Sequence, residues 1–195
     1  MDVIDSLVGI APGSALDAIR ARRPDARTHA QASWRALFAP TEPGDVSAAE
    51  RYAAAVFVVA LHGEAATADF YRQGLAGTGA GSALCAAVET AAAEAAGQGP
   101  YGRYPAGPLS AEDSPGPSWQ PGAVLQAALG PRLAAAFAHL HMLVFHPRDA
   151  DLASLQSLLD AGWSTTGIVT LSQLAAFLAF QVRVVSGLRT LAAVS

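Results

Sequence analysis

Apolar residues recur along the chain at spacings of three and four, and no stretch alternates apolar and polar over the length of a strand, so the pattern predicts an all-α protein. About eight helices follow from it. Ser14 is placed to cap a helix running to Arg22, with Asp17 at its third position, and Pro24 opens another through Trp34 and Phe38. Pro40, Pro43 and Gly44 stop that helix, and Ser47 followed by Glu50 makes a capping box for the next, which runs to about His62. Val56, Phe57, Val59, Ala60 and Leu61 leave that helix almost no polar face, which predicts a place at the centre of the core. Gly63 interrupts it, a further helix carries Glu64 to about Leu75, and an alanine-rich helix covers 82–96. The chain is helical again from Ala123 to His146, where Pro147 forbids continuation. Asp149 is then read as the cap of a helix to Asp160, Gly162 as its terminator, and Ser164 as the cap of the last long helix.

Residues 1–45 read as an N-terminal helical extension, and 97–122 as a long Gly/Pro-rich loop holding half of the prolines. A loop of that length in a compact domain is functional or disordered, and Tyr101, Tyr104 and Trp119 argue against disorder because such rings find something to pack on. Tyr101, Arg103 and Tyr104 are candidates for a lid over a pocket, for carboxylate recognition, or for a segment that wraps a neighbouring subunit.

A chain of 195 residues, 52% hydrophobic and 14% charged, has ample apolar material for one core. The net charge of -4 lacks the basic footprint that nucleic-acid binding requires. Cys85 is alone and cannot form an internal disulfide, and the start Met1-Asp-Val-Ile-Asp5 has no basic signal region, so a cytoplasmic location is expected. The apolar run 53–61 is too short for a membrane span, and 168–188 is interrupted by Gln173, Gln181 and Arg183, so no membrane association is expected.

The run Tyr52-Ala-Ala-Ala-Val-Phe-Val-Val-Ala60 leads into Leu61-His-Gly-Glu-Ala-Ala-Thr-Ala-Asp-Phe-Tyr71, and Ile168-Val-Thr-Leu-Ser-Gln-Leu-Ala-Ala-Phe-Leu-Ala-Phe-Gln-Val-Arg183 lies near the end. Together these stretches resemble the alkylhydroperoxidase D-like (carboxymuconolactone decarboxylase, CMD) superfamily. The likeness extends through Pro131-Arg-Leu-Ala-Ala-Ala-Phe-Ala-His139, Phe145-His-Pro-Arg-Asp149 and Leu158-Leu-Asp-Ala-Gly-Trp-Ser164. It implies a single AhpD-like helical bundle over 1–195 that assembles as a homo-oligomer, a dimer first, with trimer and hexamer open. In the family a glutamate, two cysteines and a histidine form a redox relay on two consecutive helices. The alignment puts Tyr52 at the glutamate, Glu64 and Thr67 at the cysteines, and Tyr71 at the histidine.

Every member of that relay is therefore replaced. Dithiol peroxide reduction needs a low-pKa thiolate and a second thiol to resolve its sulfenic acid, which neither a carboxylate nor a threonine hydroxyl supplies. Dithiol peroxidase activity is expected to be absent, with no cofactor.

The remaining chemistry rests on few side chains. Glu64, Thr67 and Tyr71 share a helix face, with Tyr52 opposite, and would suit a polar small molecule or proton transfer; the plain alternative makes Glu64 a first-turn acid favoured by the helix dipole. His62 is either the base that Tyr71 cannot be or a histidine hydrogen-bonded between helices. His139 and His141 point in different directions on a helix, and no metal site is expected from their spacing. Cys85 reads as a small buried hydrophobe, and Arg183 as a core arginine bridging to an acid or carbonyl across helices or subunits.

Two functions fit: binding of, or acid-base chemistry on, a small organic substrate, and a non-catalytic partner or scaffold for a cysteine-bearing paralogous alkylhydroperoxidase.

Overall fold

The computed structural model describes residues 2–194, which form nine α-helices and no β-strand. These are α1 (Val3–Val8), α2 (Ala15–Ala21), α3 (Pro24–Phe38), α4 (Ala48–Leu61), α5 (Ala65–Gly77), α6 (Ser82–Glu94), α7 (Ala123–Phe145), α8 (Leu152–Asp160) and α9 (Thr165–Val194). The all-α class expected from the sequence is the one that forms.

α4 is the axis of the bundle, packed against α5, α6, α7 and α9. Its residues 53–59 are wholly buried, as a helix without a polar face must be. The capping box forms in both directions: Ser47 Oγ accepts from the Glu50 amide at 3.2 Å, and the Ser47 amide donates to Glu50 Oε2 at 2.8 Å. Phe57 stacks on Phe137 of α7 with ring centroids 4.3 Å apart, and burying one such ring stabilises by roughly 1.5–3 kcal/mol. Arg51, at the first turn of the same helix, is buried without a carboxylate. It donates instead to the carbonyls of Val46, Leu37 and Pro43 at 3.0, 2.8 and 2.8 Å, so its fork holds the bend between α3 and α4.

The N-terminal helices build a second, smaller core. Val3, Ile4, Ile10 and Ala30 pack with Val185 and Leu188 of α9. α1 was not predicted: at six residues it is too short to display a period, and Asp2 caps it by accepting from the Ile4 and Asp5 amides. Arg20 is buried with its Nη1 at 3.2 Å from Asp2 and 3.1 Å from Asp5, and Arg27 reaches both Asp5 and Asp17. Arg189 joins this region to the end of α9, donating to the Leu7 carbonyl at 2.6 Å.

Three expectations need correction. Asp149 does not cap α8; it ends a short 3-10 turn, and its carboxylate accepts from the Arg103 amide at 3.0 Å and faces His146 Nδ1 at 3.0 Å. Asp151 takes the cap, accepting from the Ser154 amide at 2.8 Å, because at Asp149 the chain is still in the turn that Pro147 opens. Arg183 is exposed and makes no cross-helix bridge in the core: its Nη1 donates to Ala179 one turn back, and the polar residue that α9 buries is Gln181. The helical stretch from Ala123 is broken at Gly130, whose φ of 75° and ψ of 163° only glycine adopts readily, and Pro131 opens the second segment. Ser164 does cap α9, accepting from the Gly167 amide at 3.0 Å.

By length and composition α7 and α9 could each cross a membrane, and half of each apolar stretch is buried inside the bundle.

Candidate functional site

Gly63, with φ of 72°, turns the chain sharply between α4, which carries Tyr52, and α5, which opens after Glu64 and carries Thr67 and Tyr71. Glu64 is the N-cap of α5. Its Oε2 accepts from the Thr67 amide at 2.9 Å, and its Oε1 accepts from Arg189 Nη1 at 2.6 Å. Burial raises its carboxyl, but hydrogen bonding from Thr67 and the Arg189 charge outweigh that and leave it below the usual range. Thr67 and Tyr71 are fully buried. The Tyr71 hydroxyl donates to Gln181 Oε1 on α9 at 2.6 Å, and burial pushes its ionisation far above the ordinary tyrosine range. Tyr52 is half-buried, 6.3 Å from Tyr71 between ring centroids, and burial raises it also. A Cβ at Gly74 would lie 2.1 Å from Tyr52 Cε1, so α5 lets the ring in only where it lacks a side chain.

Tyr52 and Tyr71 are thus brought together, while Glu64 turns away to Arg189. Neither phenol can give up a proton near neutral pH in such surroundings. Tyr52, Glu64, Thr67 and Tyr71 line none of three cavities, of about 660, 460 and 390 Å³.

His62 behaves differently. It is the C-cap of α4 and lines the cavity of about 460 Å³, opposite Arg183 of α9. Leu143 and Phe145 of α7, Ala176 and Ala179 of α9 and Pro100 of the long loop supply apolar walls. Its Nε2 is buried with no partner in the protein. Burial first, and the Arg183 charge second, hold the imidazole below its usual pKa, so it is a neutral base at pH 7. Arg183 has only the Ala179 carbonyl as a hydrogen-bond partner and no acid beside it among the described residues. An arginine in an apolar run reads as a core residue, and only the packing of α9 beside the end of α4 brings Arg183 to the same cavity as His62.

The long loop is anchored. The Tyr101 amide donates to the Phe145 carbonyl at 2.6 Å, its ring lies 5.2 Å from that of His146, and Gly102 pairs with Ser114. Arg148 sits 4.4 Å over the Tyr104 ring and donates to its hydroxyl at 2.9 Å. Arg103 is exposed and holds its place through its amide. Of this segment Gly99 and Pro100 line the cavity of about 460 Å³, and Tyr101, Arg103 and Tyr104 do not.

Among the described residues no three His, Cys, Asp or Glu side chains converge as a metal site would need. Cys85 is partly buried on α6, its Sγ 4.0 Å from the Ala80 carbonyl. Comparisons with protein-family models, with curated proteins and with solved structures give no match.

Proposed function

We propose that this chain is a dithiol-free relative of the alkylhydroperoxidase D-like proteins that binds a small organic acid in the His62–Arg183 cavity, beside the neutral imidazole of His62. One observation carries the reading: of the five candidate pocket residues, His62 alone lines an open cavity, and an arginine without an acidic partner faces it. The Arg183 guanidinium binds an anionic head, the apolar walls take the body, and the neutral imidazole of His62 lines the same space. In solution the chain works as a homo-oligomer, a dimer first, in the cytoplasm and without nucleic acid. Support for assembly comes from α9, which exposes Val169 and Phe180 eleven residues, or about three turns, apart on one face. The scaffold reading draws on that same face, with a cysteine-bearing relative in place of the second copy.

The test is thermal-shift titration with benzoate and hexanoate, joined to an NMR titration of the His62 imidazole. Saturable stabilisation that Arg183→Met removes, and a His62 pKa that rises when the anion neutralises the nearby charge, are expected. No stabilisation at millimolar probe, or stabilisation that Arg183→Met leaves intact, overturns the proposal.

A further inference from the structure

His146 follows the last turn of α7 and is buried, and each of its ring nitrogens meets an oxygen. Nδ1 lies 3.0 Å from Asp149 Oδ2, and Nε2 lies 2.9 Å from the Pro117 carbonyl oxygen of the long loop. A carbonyl has no proton to give. Neither has the carboxylate: hydrogen bonds from His146 first and from the Arg103 amide second hold the Asp149 carboxyl below its usual range, so it is ionised at neutral pH. Both nitrogens donate only when both carry protons, so the ring that makes these two contacts is an imidazolium.

The groups around the ring fit that charge. His141 of α7 has its centroid 6.3 Å away and is held at a pKa of about 4, by burial first and by His146 second. From the loop come the Tyr101 ring, 5.2 Å away, and the Arg103 charge, which acts on Asp149. Arg148, in the same turn, lies over the face of Tyr104. Among the described residues Asp149 is the one carboxylate bonded to the ring.

Pro117 belongs to a strap, 115–121, that closes the long loop. Ser114 pairs with Gly102 at one end, and at the other the Pro121 carbonyl accepts from Gln126 Nε2 at 2.9 Å. Between those points, among the described residues, the bond to His146 is the strap's only hydrogen bond. Ring packing does the rest: Tyr101 lies against Gly116, and Trp119 against Phe57 and His141 with centroids 5.5 and 5.9 Å apart. Ser118, Trp119, Gln120 and Pro121 form one wall of the largest cavity, an open groove of about 660 Å³ along α7.

We propose that His146 is a proton-operated latch on this strap: as an imidazolium it holds Pro117 and keeps the strap down on α7, and on losing a proton it frees Pro117 and lets Trp119 lift from the groove. The sign follows from the contacts. Asp149 keeps the remaining proton on Nδ1, because a charged acceptor holds it better than a neutral carbonyl does, and bare Nε2 then faces the Pro117 oxygen, lone pair against lone pair. The strap is held at low pH and released as pH rises. No ligand enters the argument, so it fails separately from the His62–Arg183 reading.

The experiment is acrylamide quenching of Trp119 fluorescence in the full chain, taken as the difference from Trp119→Phe, between about pH 5.5 and about pH 8.5, the interval in which imidazoles exchange their proton. Burial lowers His62, His139 and His141, so these stay neutral over most of it. The open fraction of the strap should grow about tenfold, the factor that one lost hydrogen bond makes, and quenching of Trp119 should rise with it. Asp149→Asn is the sharper arm. Its carboxamide still accepts from the Arg103 amide but donates to Nδ1, so a neutral His146 carries its proton on Nε2 and the strap should stay down at the upper pH. If that variant does not fold, nitrogen NMR of the His146 ring in the unaltered chain decides: two protonated nitrogens at the lower pH, and a bare Nε2 appearing in step with the quenching. Quenching that does not change with pH, a rise that Asp149→Asn leaves in place, or a bare ring nitrogen at the lower pH overturns the proposal.

Discussion

The Tyr71 hydroxyl and the Gln181 carboxamide oxygen are 2.6 Å apart, a buried hydrogen bond that ties α5 to α9 across 110 residues of chain. Both side chains are fully enclosed, so neither has water to turn to when the other is removed. Tyr71→Phe should therefore cost roughly 1–3 kcal/mol, mostly the penalty of an unmet buried amide oxygen. Replacing both, Tyr71→Phe with Gln181→Leu, should recover much of that loss in urea denaturation. Additive losses from the two changes would show that the pair is not coupled.

Tyr52 depends on the absence of a side chain at Gly74. Gly74→Ala puts a methyl about where the Tyr52 ring lies and should destabilise by about 1–3 kcal/mol, the usual cost of overpacking, although alanine favours the helix by about 1 kcal/mol. Tyr52→Leu in the same chain should restore the lost stability. A Gly74→Ala protein that melts at or above the parent temperature would mean that the ring moves aside freely.

Acid should weaken the fold early. His141 is held at a pKa of about 4, by burial first and by the neighbouring His146 second, and burial also lowers His139 and His62. A histidine whose folded pKa is depressed below the unfolded value near 6.5 binds its proton more readily when unfolded. Its stabilisation is complete above about pH 6.5 and is lost as pH falls towards 4, by up to about 3 kcal/mol for His141. Urea midpoints measured between pH 7 and pH 4 should fall steadily, and His141→Gln should flatten the profile. A flat profile in the parent chain counts against buried neutral imidazoles.

Assembly is tested through α9. Light scattering at micromolar concentration should report a dimer, and Phe180→Asp, on a residue 44% exposed, should shift the population to monomer without lowering helix content. A monomeric parent chain removes the proposal.

The fold was legible where the sequence carried local chemistry. Ser47 and Glu50 announced the start of α4, Pro24 and Ser164 marked two more helix starts, and the absence of a polar face on α4 placed it in the core. The same reading failed on α9, and for a physical reason. That helix is apolar nearly all round, so no polar stripe marks which side faces solvent, and Arg183 was put inside on the strength of its neighbours. Two residues earlier, Gln181 is the side chain that goes in. The junction of α4 and α5 was located from its spacing, but spacing is silent on partners: Arg189 comes from 125 residues away to take Glu64, and Gln181 to take Tyr71.

Arg189 holds two things at once, the Glu64 carboxylate that starts α5 and the Leu7 carbonyl that ends α1. It acts as a mechanical clasp. Pulling α1 outward, or peeling the last turns of α9, loads the same guanidinium, so neither can fray independently of the other or of the α5 cap. The amides of α1, the first turn of α5 and the end of α9 should then open as one unit in hydrogen exchange, and Arg189→Met should split that unit into separate, faster openings.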